Sequence, residues 1–238
     1  MRINLRLPLL ACATALLLAG WAFAGVVTYS GFDDGSGSIS TNPNSDAAAA
    51  SFDAATGHLP IITFESSPLG PFSSLTVASG VTLTGADING GDQNIINSPV
   101  CVPALCGYNT TSGGSQWLSL LGGSATFSFA TPISAFGAYF TGVQVTGIDL
   151  LFNDGASQFV PIPVDFNNGG TAFVGFTDLG ASIVSVEVNA QTTNYGDIIG
   201  VDDVRYGSSS TTPEPGSLVL LGSGVLGLAG LLRRKLTL

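Results

Sequence analysis

Cations are scarce in this chain. Its 238 residues hold six Lys and Arg against sixteen Asp and Glu, with a single His. Arg2 and Arg6 lie at one end and Arg233, Arg234 and Lys235 at the other, so the stretch from Gly25 to Thr212 keeps Arg205 alone. Of the sixteen carboxylates only Glu214 falls outside that stretch, which leaves fifteen against one cation and a net charge of fourteen negative. A surface so charged repels nucleic acid phosphate and anionic lipid headgroups, which argues against either as a partner. It also leaves Asp and Glu without ion-pair partners. Buried or clustered carboxylates must then be solvated, bonded to backbone N–H groups, or balanced by a divalent cation such as Ca²⁺.

Catalytic signatures are also missing. A Ser-His-Asp arrangement would have to use His58, and no nucleophile elbow is present. There is no Walker loop, dinucleotide fingerprint, HExxH or CxxCH. Paired carboxylates of the glycosidase kind have many candidates, but no signal selects a pair. The expectation is a protein that is not an enzyme. Of three cysteines, Cys12 belongs to an N-terminal leader and leaves with it, so Cys101 and Cys106 remain. An even count in an oxidising compartment predicts a disulfide, of modest entropic value because the loop it closes is short.

Long apolar runs are confined to the two ends. Arg2 and Arg6 precede Leu7 to Ala19, and Ala22-Phe23-Ala24 supplies the small residues a signal peptidase needs, so residues 1–24 read as a signal peptide cleaved after Ala24. At the other end, a Ser/Thr linker (208–212) leads to Pro213-Glu214-Pro215, an uncharged stretch from Gly216 to Leu232, and the basic tail 233–238. The prolines lock φ and mark an extended strip. At about 1.5 Å per residue, the 216–232 segment makes a helix of about 26 Å, barely enough for a hydrocarbon core of about 30 Å. The positive-inside rule puts Arg233, Arg234 and Lys235 on the cytoplasmic side and Pro213 outside.

Proline-glutamate-proline, a Gly- and Leu-rich membrane segment and a short Arg-rich tail, in that order, resemble the PEP-CTERM sorting signal of Gram-negative bacteria that make exopolysaccharide. That signal is also catalogued as an ice-binding-protein C-terminal domain. The resemblance covers about a tenth of the chain. It implies an inner-membrane precursor handled by an exosortase and delivered to the cell envelope or extracellular matrix, with exopolysaccharide as a further partner. The alternative is an ordinary tail anchor behind a Pro-rich linker. The ice-binding label attaches to the tail, and the sequence has no regular Thr-x-Thr array of the kind an ice-matching face would use.

Between the ends, residues 25–207 read as one all-β domain, a β-sandwich. Short β-rich segments recur with Gly, Pro, Asn and Asp between them. Predicted strands are 26–29, 61–65, 81–86, 125–129, 135–141, 148–152, 158–162, 172–176, 183–189 and 199–206. Val184, Val186 and Val188 are expected in the core, as are Phe127, Phe129, Phe136 and Phe140. Asp46 is expected to cap a helix over 47–55 that Gly57 ends, unless the alanines there form a linker. Gly31 to Ser38 and Gly90 to Asn94 read as turns. The sequon at Asn109 carries no meaning in bacterial export.

Ile62-Thr63-Phe64-Glu65, Ala135 to Phe140, Phe173 to Phe176 and Val201-Asp202-Asp203-Val204 resemble β-sandwich ectodomains often joined to this sorting signal. That likeness implies a jelly-roll, galactose-binding-like architecture. It further implies a structural calcium between Glu65 and the Asp202-Asp203 pair, unless one of those Asp residues merely pairs with Arg205. Two roles remain for the domain. One is a structural or adhesive matrix protein. The other is a carbohydrate-binding module that uses Trp117 and Tyr195, both read as lying in exposed loops.

Overall fold

A computed structural model describes residues 25–35, 41–163, 167–180, 183–189 and 197–208, together with Gly224. The expected signal peptide with Ala22 and Ala24, the candidate ligand Tyr195, the candidate sorting residues Pro213, Glu214, Pro215, Arg233, Arg234 and Lys235, and the expected 216–232 span (Gly224 apart) lie outside them. No helix among the described residues is long and apolar enough to cross a membrane.

Two antiparallel sheets face each other. The first is ordered β1 (Val27–Asp34), β12 (Gly170–Thr177), β9 (Ala135–Thr141), β14 (Ile198–Gly207), β7 (Trp117–Leu121), β6 (Gln93–Ile96) and β3 (Gly70–Phe72), and β2 (Ile61–Ile62) also pairs with β14. The second is ordered β11 (Ser157–Pro161), β10 (Gly147–Phe152), β13 (Ile183–Asn189), β8 (Ser124–Ile133), β5 (Val81–Ala86) and β4 (Ser74–Ala78). Their inner faces share one core in which Leu83 and Phe127 of the second sheet join Phe136, Phe140 and Val201 of the first, all essentially inaccessible. This is the sandwich that alternating strands produce when each sheet hides one face.

One strand departs from simple alternation. The pairing of β13 with β8 shifts between Ile183, opposite Ile133, and Ser185, opposite Ser128, and there Ile183 is buried and Val184 is 40% exposed, while Val186 and Val188 keep their expected core places. The extra residues lie on β8, where 130–132 are exposed between the two registered pairs.

Two helices lie on the first sheet. Helix α1 (Pro43–Thr56) begins four residues before the predicted start and stops at Gly57 in the left-handed conformation, as expected. Its cap is not Asp46. Asp33 of β1 reaches across, its Oδ1 accepting from the Asn44 backbone N–H at 3.0 Å and its Oδ2 from that of Ser45 at 2.8 Å. A carboxylate at a helix N-terminus satisfies otherwise unpaired donors and meets the positive end of the dipole. Thus Gly31 to Asp34, expected as a turn, is strand. Phe52 buries its ring against Phe173 and over Gly175, where a Cβ would sit 2.7 Å from the ring. Helix α2 (Pro103–Cys106) is a single turn closed by the Cys101–Cys106 disulfide, as the sequence predicted.

Candidate functional site

The acidic residues singled out in the sequence converge on one segment, residues 107–116, laid over the outer face of β14 and β7. At its start Gly107 rests on the strand backbone, and a Cβ there would meet the Gly200 nitrogen at 2.5 Å. Next to it, Tyr108 exchanges two hydrogen bonds with Thr141: its N–H donates to Oγ1, and that hydroxyl donates back to its carbonyl, both at 2.9 Å.

Glu65 grips one end of the segment. Its Oε1 accepts from Asn109 Nδ2 at 2.9 Å and from the backbone N–H groups of Ser115 and Gln116 at 2.8 and 2.9 Å. Asp202 and Asp203 grip the other end. Asp202 Oδ2 accepts from the Thr110 N–H at 2.8 Å and the Thr111 N–H at 3.2 Å. The Thr110 and Thr111 hydroxyls donate to Asp203 at 3.0 and 2.8 Å. The Asn109-Thr110-Thr111 triplet is therefore a set of donors matched to carboxylates.

Consecutive residues of a regular strand point to opposite faces, so a device is needed to aim both Asp side chains at one segment. It is a bulge. The pairing of β14 with β9 shifts between Asp202 and Arg205, and Asp203 adopts φ 47°. Asp tolerates the left-handed region better than most residues do. Phe64, just before Glu65, is also left-handed at φ 59° and is buried. An aromatic side chain there is held against its local preference by its packing.

Arg205 does not pair with either Asp of the cluster. Its Nε donates to Asp53 of α1 at 2.8 Å, and its guanidinium lies over the rings of Tyr139 and Phe173 at 5.5 and 5.4 Å. It pins the helix to the sheet, partly through cation–π attraction. The contact with Asp203 is through that residue's carbonyl oxygen.

Asp202 is thus fully buried without a countercharge, and burial, followed by the negative charge of Asp203, pushes its carboxyl up to about 7. Its second oxygen, Oδ1, has no donor among the described residues, and neither does Gln116 Oε1. A buried carboxylate oxygen without a donor has the hard chemistry that Ca²⁺ prefers. The trio expected from the sequence is arranged otherwise: among the described residues no three His, Cys, Asp or Glu side chains close on one cation-sized point. Glu65 is already engaged with the segment's N–H groups.

Trp117 needs correction. It opens β7 instead of lying in a loop, and only 3% of it is exposed, with Cδ1 packed over Gly200 and Nε1 enclosed without an acceptor. A ring so buried offers no sugar platform. Asp197, which the sequence did not single out, lies at the start of β14, and burial pushes its carboxyl up to about 6 although it accepts from the Gln144 and Ile198 N–H groups.

Outside this fold, residues 211–235 match the family model described as the PEP-CTERM protein-sorting motif. The chain carries a PEP-CTERM sorting signal. The matched residues span the Pro213-Glu214-Pro215 strip, the apolar stretch and Arg233 to Lys235, so the three parts read from the sequence fall in one unit. A PEP-CTERM signal is the recognition element for exosortase processing, and it marks an exported protein with a membrane-anchored precursor. No curated protein matches the chain.

Proposed function

We propose that this PEP-CTERM protein is a non-enzymatic structural or adhesive component of the cell envelope or extracellular matrix, held there with exopolysaccharide after an exosortase removes its tail. The observation that carries this reading is the sorting motif at 211–235 behind a self-contained sandwich. The interior supports a passive role. A cleft of about 530 Å³ between β1, α1 and the end of β11 is lined by residues such as Ser30, Asn44, Ser51 and Pro161, with no titratable side chain among the described residues. The acidic cluster spends its acceptors on fastening the protein's own segment, which is the work of a latch. A jelly-roll, galactose-binding-like ancestry belongs to the same reading.

The test is the intact mass of the protein recovered from its native host, with and without the exosortase gene. Loss of the residues after Pro215 in the first case only is the expected result. An identical full-length product in the same location in both would overturn the reading.

We also propose that a calcium ion stiffens the latch, taken by the Asp202 oxygen that has no donor among the described residues and supplying the positive charge the cluster lacks. Calorimetry of chelated protein should show heat on adding calcium, and the heat should vanish in Asp202→Asn. No heat with the unaltered protein would remove calcium from the account.

A further inference from the structure

The outer face of the second sheet is built differently from anything else in the molecule. Both helices pack on the first sheet, and no described element lies over this one. Strand register aligns its outward side chains in rows. Thr76, Thr82, Ser128 and Ser185 are successive partners across β4, β5, β8 and β13, and Ser74, Thr84 and Thr126 form a second row beside them. The chain has no regular Thr-x-Thr repeat, yet three short pairs from separate strands stack side by side. Their inward neighbours Val81, Leu83, Ala125 and Phe127 are buried, which fixes the hydroxyls outward. None of the seven hydroxyls bonds another described residue.

Ordinary β-propensity accounts for Thr on an open sheet. It does not account for what adjoins these rows. The next row runs from Ser124 through Asn189 and Asp149 to Phe159 of β11, and that ring is 58% exposed. It lies across Gly147, where a Cβ would stand 2.3 Å from the ring. One face of the ring therefore covers a glycine, and the other is free. From β11 to β4 the sheet spans five inter-strand steps, about 24 Å at the usual spacing.

We propose that this face binds a neutral polysaccharide laid across the strands, with sugar hydroxyls on the Ser and Thr rows and one sugar ring stacked on Phe159. The proposal rests on the matrix reading above and gives it a surface. Sugars present apolar ring faces and hydroxyl edges together, as this surface does. Thr side chains are stiff at χ1, so little freedom is lost when they bind. The charged side chains on these rows are acidic, Asp149 and Glu187, which turns away anionic glycans.

The assay is co-sedimentation of full-length protein, in a detergent without a sugar headgroup, with insoluble cellulose or curdlan and with calcium alginate gel. Neutral glucan should retain the protein, and Thr82→Lys and Phe159→Ala should each weaken retention roughly tenfold. Val102→Lys, on an exposed loop by the disulfide, should bind as the unaltered protein does. If Thr82→Lys lowers the melting temperature, Thr82→Val decides in its place, since it keeps the shape and removes the hydroxyl. Unchanged retention in the Thr82 and Phe159 variants, capture by alginate alone, or no capture of the unaltered protein overturns the proposal. Failure of the sorting reading shows separately, as the same full-sized protein in cells with and without exosortase, and leaves this assay unaffected.

Discussion

The two outer faces of the sandwich have opposite fates. On the first sheet, Phe52, Tyr139 and Phe173 form a second small core under α1, and the 107–116 segment is tied down by three carboxylates. On the second sheet, two outward rows are Ser and Thr whose hydroxyls bond no other described residue. The first face lends the domain stability, whereas the second contributes little, so its composition is free to serve an outside partner. Apolar area and satisfied buried donors stabilise a fold, while exposed hydroxyls exchange water for water.

The largest test of that contrast is Phe52→Ala. The ring is fully buried between α1 and the Gly137–Gly175 pair, and its loss should cost about 3–5 kcal/mol. Thermal or denaturant unfolding measures it. A cost below about 1 kcal/mol would mean that the helix is a loose appendage and the faces are less different than they look.

The rim of the first sheet should also make stability depend on pH. The folded-state pKa of Asp197 is raised to about 6 from 3.8, so the native state binds the proton more tightly than the unfolded chain. Its contribution is then full below pH 3.8 and is lost as pH rises through 6. Two units correspond to roughly 3 kcal/mol. Melting temperature should fall between pH 4 and pH 7, and Asp197→Asn should flatten that part of the curve. The slope left in the variant should run to higher pH, where Asp202 titrates. A curve that rises with pH would show that neither carboxyl is desolvated as described.

Much of the second sheet was legible in the sequence and less of the first. The bounds of β5 and β13, and of β9 in the first sheet, follow from β-rich segments between turn residues, and the Phe127–Phe136 core pair follows with them. β7 was missed because Trp117-Leu118-Ser119-Leu120 is covered on both sides, so it shows no alternation. β6 was hidden by the glycines before it and by Gln93, a buried amide whose Nε2 donates to the carbonyls of Ala86 and Gly122. Neither the Asp33 cap of α1 nor the Arg205–Asp53 pair has a local signal, since the latter joins residues 152 apart. Glu65, Asp202 and Asp203 were singled out in the sequence as a trio around one cation, whereas in the structure they hold the two ends of one segment, with β2, just before Glu65, paired to β14. Their shared object, the 109–116 segment, was not, because the donors that answer a carboxylate are mostly backbone N–H groups, which every sequence has.

The smallest expected effect tests the bare face itself. Thr84→Val and Thr126→Val keep β-branching and side-chain volume and remove one hydroxyl each from the second row. Neither hydroxyl has a partner among the described residues, so each change should leave unfolding free energy within about 0.5 kcal/mol. Ser45→Ala on the covered side removes a buried hydroxyl that donates to the Thr171 carbonyl at 2.9 Å, and should cost about 1 kcal/mol. If the two valines cost as much as that alanine, the hydroxyl rows hold the sheet together and are not reserved for a ligand. If they cost nothing but weaken retention on neutral glucan, stability and recognition are carried by opposite faces of one sandwich.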